Sequence, residues 1–312
     1  MIEKEMIVDS HGNQLSGTLC LPVDEGTFPL VMMVHGSGPL DRDENMPEQQ
    51  LNVFNTIAHH LAEQGIASYR YDKRGCGKST GDYYTAGYAD LLNDAVNVFY
   101  ALKQDRACDY RKIFVLGHSE GCLIAPQMTA ARPEIAGLIL LCPFVDQLES
   151  ILIKQAAQVQ LDFERLPGIE GLAYRIQSKV LGTLVSRQKK LIEKLKSTDQ
   201  ETIQAGSQKI PARWLRELMS LDPPGIFSQV SCPMLLIGGE KDLQCDPEDV
   251  DRIARLAKGD VSARRIENLT HVLRFDEGKP SLLGSAKLLG KPMEKAVLDL
   301  ISSWLVERLK LS

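Results

Sequence analysis

Residues 112–122 read KIFVLGHSEGC, a β-rich run that breaks into Gly117-His118-Ser119-Glu120-Gly121 and passes over 122–131 into helical spacing. A tight turn alone would account for the two glycines. A Gly-x-Ser-x-Gly set between a strand and a helix points further, to a nucleophile elbow that presents a serine hydroxyl above a sheet. Five residues are too short to carry that reading by themselves, and the strand-turn-helix setting is what supports it. The serine of such a turn occupies strained backbone, and side chains at Gly117 and Gly121 are expected to collide with the adjoining strand and helix. The start of a helix also offers free N–H groups to a developing negative charge. The N–H of Glu120 is therefore the first candidate oxyanion donor.

A serine hydroxyl attacks poorly until a base takes its proton, and histidine titrates in the useful range. In an elbow architecture the partners follow the serine, acid first and histidine last. Of the six histidines (His11, His35, His59, His60, His118 and His271) only His271 follows Ser119. It lies in ENLTHVLRF, a loop between a late strand and the final helix. His118 is next to the serine in sequence, but neighbours at a sharp turn point in different directions, so it is read as an orienting or packing residue. The acid that holds the imidazole is expected just past MLLIGG, where Asp242 is preferred to Glu240, Asp246 and Asp249 because the Gly238-Gly239 turn sets it at the loop apex. The second oxyanion donor is expected in the loop HGSGP, residues 35–39. There the N–H of Ser37 is the candidate, Gly38 stands behind it, and Pro39 has no N–H to give. His35 is expected to brace this loop through a side-chain hydrogen bond.

Around the elbow, short β-rich segments alternate with longer helical ones, the pattern of a mostly parallel sheet covered by helices. Two strands around His11-Gly12-Asn13 predict a hairpin at a sheet edge. FPLVMMV, GIASYRY, KIFVLGH, GLILL, PMLLIGG and SARRI read as further strands. The helices between them are expected over 51–62, 88–102, 122–131, 248–257 and 293–309. From 145 to 228 the alternation stops and the chain reads as helical with little β signal. The domain expectation is accordingly a core of residues 1–144 and 229–312 with a helical cap insertion at 145–228. The basic residues of that insertion, Arg187, Lys189, Lys190, Lys194 and Lys196, read as a solvated face.

At 312 residues the chain can bury a large core, and its net charge of -5 with dispersed basic residues argues against nucleic acid as a partner. Its start lacks a basic leader and no segment has the apolar length of a membrane span, so a cytoplasmic protein is expected. Seven scattered cysteines without metal-type spacing read as reduced thiols, and Cys122 is the one expected near any chemistry. No metal site is expected.

HGSGPLDRDE, YDKRGCGKS, GHSEG, GGEKD and LTH together resemble the α/β-hydrolase superfamily. The forms of the first three are most similar to bacterial serine aminopeptidase-like and dienelactone-hydrolase-like members, many of which behave as carboxylesterases. The resemblance covers most of the chain outside the insertion. It implies an α/β-hydrolase fold, an acyl-enzyme mechanism without metal or organic cofactor, and a cap after the strand that follows the elbow helix. Gly75, Gly77, Lys78 and Ser79 have the composition of a phosphate loop, but the Gly-x-x-x-x-Gly-Lys-Ser spacing is absent, so the segment reads as a turn bracing the floor of the site. The expected substrate is a small acyl compound, a short- to medium-chain ester cleaved by Ser119, His271 and Asp242. Aminopeptidase and acyl-CoA thioesterase activities use the same residues, and a non-catalytic binding protein is the reading from another class. An aminopeptidase would need a carboxylate pair for the substrate's ammonium, for which Glu120, Asp41, Asp43 and Glu44 are the candidates.

Overall fold

The computed structural model describes residues 1–311. In chain order the elements are β1 (Ile2–Ser10), β2 (Asn13–Leu21), β3 (Phe28–Val34), α1 (Val53–Glu63), β4 (Ala67–Tyr71), α2 (Tyr88–Gln104), β5 (Cys108–His118), α3 (Gly121–Ala131) and β6 (Gly137–Leu141). There follow α4 (Leu148–Arg165), α5 (Gly168–Leu181), α6 (Leu184–Lys196), β7 (Thr202–Ala205), β8 (Gln208–Pro211), α7 (Ala212–Met219) and α8 (Pro223–Phe227). The chain closes with β9 (Met234–Gly239), α9 (Asp249–Leu256), β10 (Val261–Ile266) and α10 (Lys295–Leu311).

Eight strands form one sheet in the order β1-β2-β4-β3-β5-β6-β9-β10, parallel from β4 through β10 and antiparallel at the β1–β2–β4 edge. The edge hairpin turns at His11 and Gly12, both at positive φ (52° and 82°), the backbone that a two-residue hairpin loop requires. Strands buried on both faces divide their side chains by alternation. Leu30, Met32 and Val34 of β3 pack with α2 and α3, while Val31 and Met33 pack with α1 and α10 on the other face. This double coverage explains why the central strands read as unbroken apolar runs. It also leaves the carboxyl ends of the parallel strands as the open edge where loops can build a site.

The insertion leaves the sheet intact, because β6 and β9 pair directly on either side of it, Leu138 beside Met234 through Leu141 beside Ile237. Two features within it were not legible in advance. Gly182, at φ 82°, and the Thr183 side chain, which accepts the Ser186 N–H, break the helical stretch between α5 and α6. A small antiparallel hairpin, β7–β8, interrupts the helices, and each of its strands is only four residues long, too short for a periodicity signal.

Candidate functional site

Ser119 follows directly on β5, the middle of the sheet, at φ 52°. Its N–H is tied to the Leu141 carbonyl at 3.0 Å, which fixes the turn against β6. Both flanking glycines are sterically required. A Cβ on Gly117 would meet the Gly121 carbonyl at 2.3 Å, and one on Gly121 would meet the Val34 carbonyl at 2.2 Å. The elbow is thus a close crossing of β5, α3 and β3 that no larger residue fits.

The three candidate side chains converge although 152 residues separate Ser119 from His271. His271 Nε2 is 3.1 Å from Ser119 Oγ, and Nδ1 is 2.7 Å from Asp242 Oδ2. Asp242 is buried, and its other oxygen accepts the N–H groups of Gln244 (2.8 Å) and Cys245 (2.9 Å), so the carboxylate cannot rotate away from the ring. Glu240, Asp246 and Asp249 take no part. Asp249 instead accepts the Val145 N–H and pairs with Arg252. The loop bearing His271 is a tight turn in which the Thr270 N–H donates to the Arg274 carbonyl, and the buried Arg274 guanidinium donates to the carbonyls of Val272, Leu51 and Lys291. A serine hydroxyl, an imidazole and a carboxylate in this order can move a proton from oxygen to ring and back.

The N–H groups of Ser37 and Glu120 make no hydrogen bond among the described residues. The loop carrying Ser37 lies against the serine, since a Cβ on Gly36 would come within 3.3 Å of Ser119 Cβ. The Gly36 N–H, by contrast, is spent on Glu44 Oε1 at 2.7 Å. Glu44 Oε2 takes His118 Nδ1 at 2.7 Å, and His118 Nε2 reaches the His271 carbonyl at 3.1 Å. Both ring nitrogens of His118 therefore face acceptors, and both contacts are hydrogen bonds only when each nitrogen carries a proton. Burial by itself would discharge this pair. The opposite charge of each partner and their hydrogen bonds prevail, so the Glu44 carboxyl lies below its ordinary range and the His118 imidazole above its own. The orienting role expected of His118 thus has a partner, Glu44, that sequence order could not reveal.

His35 is buried against Phe54 and Tyr71. The ring Nε2 has no hydrogen-bond partner among the described residues, and burial pushes the imidazole down to about 4. Its bracing of the loop is therefore largely ring packing. The segment after β4 supports the floor. Lys73 Nζ donates to the Gly36 carbonyl (2.5 Å) and to Glu120 Oε2 (3.1 Å), and Asp72 accepts Arg42 and the Lys78 N–H. A Cβ on Gly77 would strike the Asp72 carboxylate at 2.4 Å, so this turn is already filled by the protein's own acid. Cys122 is buried, and burial drives its thiol well above the usual range. Cys142 and Cys245 also reach the site. Among the described residues Cys142, Asp242 and His271 form the one donor cluster with metal-ligand spacing; two of its members already hydrogen-bond to each other, His271 Nδ1 to Asp242 Oδ2, and burial pushes the Cys142 thiol well above its usual range.

Above Ser119 lies a cavity of about 370 Å³. Its walls are more apolar than polar, with Leu148, Ile151 and Leu152 from α4, Trp214 and Leu218 from α7, and Leu289 from a segment after the His271 loop, beside the amides of Gln49, Gln155 and Gln244. That last wall, a 3₁₀ turn over Ser285–Gly290, was missed in the sequence because it is only six residues long. Trp214 Nε1 donates to Glu120 Oε1, which links α7 to the elbow.

A family model described as serine aminopeptidase, S33, matches residues 48–278. The chain belongs to the serine aminopeptidase (S33) family of α/β hydrolases. It is a hydrolase enzyme. Among curated relatives it is 29% identical to the esterase EstD of Thermotoga maritima over 98% of this chain and 68% of that one. It is 26% identical to a monoacylglycerol lipase of Mycolicibacterium smegmatis over 80% and 83%. Of solved structures, Est1E from Butyrivibrio proteoclasticus with ferulic acid bound shares the fold at a TM-score of 0.64 and 18% identity, covering 98% of this chain and 99% of that one. Among the described residues no helix is long and apolar enough to cross a membrane.

Proposed function

We propose that this α/β hydrolase is a carboxylesterase for short- to medium-chain acyl esters, with Ser119 as nucleophile, His271 as base and Asp242 as its orienting acid. The observation that carries the reading is a largely apolar cavity above Ser119 in which the one lining acid among the described residues, Glu44, is already committed to Gly36 and His118. An aminopeptidase site needs a carboxylate free to meet an ammonium group. Asp43 is paired with Arg70, Asp41 accepts two main-chain N–H groups, and Glu120 is fully buried between Lys73 and Trp214. The ester names of two relatives point the same way.

In the proposed cycle His271 removes the Ser119 proton as the oxygen attacks the ester carbonyl, and the N–H groups of Ser37 and Glu120 hold the oxyanion. The proton passes from His271 to the departing alcohol and leaves an acyl-enzyme. Water then attacks with His271 again as base, releasing the acid and restoring the Ser119 hydroxyl. Residues 145–228 act as a cap that supplies the acyl wall. Seven free thiols, six of them buried, support a reducing cytoplasmic setting.

The test is hydrolysis of p-nitrophenyl esters from acetate to long-chain acyl, beside aminoacyl p-nitroanilides and acyl-CoA, with wild type and Ser119→Ala in parallel. Turnover of esters that depends on Ser119 and peaks at one chain length is expected. Cleavage of anilides or thioesters with esters ignored would keep the nucleophile and overturn the substrate class.

A further inference from the structure

Helix α5 turns its apolar residues toward water. Gly171 and Tyr174 form its packed side, with Tyr174 stacked on Phe163 of α4 at a centroid distance of 5.2 Å. At about 100° per residue, Ile169, Leu172, Ile176 and Val180 fall on the opposite side, and they are 85%, 54%, 58% and 78% exposed. Steps of three and four residues put them in a single ridge. Counting Leu181, five of the fourteen exposed large hydrophobic residues among the described residues belong to this one helix. A helix that served only to pack the fold would turn such a ridge inward.

Charge indicates what covers it. Arg175 and Lys179, both exposed, flank the ridge next to Leu172. Residues 165–196 hold eight Lys and Arg against Glu170 and Glu193, within a chain of net charge -5. A second copy seated on the same ridge would bring two such basic segments together, whereas an anionic surface complements both the charge and the apolar face. Leu161 of α4 and Leu283 are exposed as well, on segments that Asp162 clamps together by accepting the Ser281 hydroxyl and the Leu282 N–H, each at 2.9 Å. From there the chain continues into the 3₁₀ turn that walls the cavity.

We propose that α5 and the basic residues around it dock the protein on an anionic lipid surface, adjacent to the helices that line the cavity. The four apolar side chains enter the boundary of the acyl region, and Arg175 and Lys179 remain among the headgroups. Lys189, Lys190 and Lys194 of α6, expected to be merely solvated, then supply long-range attraction, whereas Lys196 is paired with Glu149. Docking needs no acyl chemistry, so its failure and the failure of the esterase reading are separable.

The experiment is co-sedimentation of the full chain, as Ser119→Ala, with vesicles of phosphatidylglycerol mixed into phosphatidylcholine and with phosphatidylcholine alone. Binding to the anionic vesicles is expected, weaker by about tenfold or more on the neutral ones and at high salt. Ile176→Glu with Val180→Glu, and separately Arg175→Glu with Lys179→Glu, should each reduce it by about tenfold or more. Both pairs should keep wild-type turnover of a water-soluble ester when Ser119 is present, and Ile176→Ser with Val180→Ser serves if the glutamates disturb folding. No binding to anionic vesicles at low salt would overturn the proposal, as would binding that the ridge variants leave unchanged. A concentration-dependent dimer in sedimentation velocity that the ridge variants dissolve would assign the ridge to a second copy and overturn it too.

Discussion

Glu44→Gln separates the charge of the Glu44–His118 pair from its geometry. In the native site Glu44 Oε1 accepts the Gly36 N–H and Oε2 accepts from His118, which in turn holds the His271 carbonyl. A glutamine can keep all three contacts. Its amide oxygen accepts from Gly36 and its amide nitrogen donates to Nδ1, and a neutral ring still donates from Nε2 to His271. What disappears is the charge assistance of buried bonds, about 1–2 kcal/mol. Glu44→Ala removes both acceptors and leaves a buried imidazolium and the Gly36 N–H unpaired, about 3–5 kcal/mol.

The two effects differ in their pH dependence. The Glu44 carboxyl lies below its ordinary 4.5 in the fold, so its contribution is complete above pH 4.5 and is lost as pH falls through the folded value. The His118 imidazole lies above its ordinary 6.5, so its contribution is complete below pH 6.5 and is lost as pH rises through the folded value. The stability difference between wild type and Glu44→Gln should therefore peak between pH 4.5 and 6.5 and shrink on either side. Urea unfolding of both proteins over a pH series measures it directly. A difference that stays constant across that window and for a pH unit or two beyond each end would refute an ionised pair.

Three further outcomes are expected. Ser119→Ala should abolish ester turnover while its circular dichroism and unfolding midpoint stay close to wild type, because only the hydroxyl is removed; retained turnover would dismiss Ser119 as nucleophile. Gly121→Val should cost more than about 3 kcal/mol or prevent folding, since its Cβ would sit 2.2 Å from the Val34 carbonyl, and a soluble variant with an unchanged unfolding midpoint would contradict the crossing described for the elbow. Trp214→Phe leaves Glu120 Oε1 without its indole donor at a cost of about 1–3 kcal/mol, with KM for longer esters changed more than kcat, as chain-length kinetics would reveal.

Much of the architecture was legible because each central strand announces itself twice, as an apolar run buried on both faces and by the helix that follows it. The elbow could be read for a similar reason. Gly117 and Gly121 answer to local backbone collisions, and local demands leave local marks in the sequence. The positions of His271 and Asp242 followed from chain order and loop position, whereas the distances between them did not. The Glu44–His118 pair, the Lys73 support beneath Gly36 and the Trp214–Glu120 link were not legible, since each joins residues 37 to 94 positions apart with no periodicity to betray them. In the insertion, four-residue strands and a glycine break are shorter than the window over which a periodic signal emerges.

By itself, then, the sequence determined the parallel sheet and the serine on its turn, because hydrophobic period and steric demand act between near neighbours. Only the tertiary structure decided which carboxylates are spent and which N–H groups remain free. It alone showed, too, that the ridge of α5 faces water. Those properties depend on what surrounds a group in space, and burial, charge pairing and hydrogen-bond saturation are settled by residues that the chain brings together only on folding.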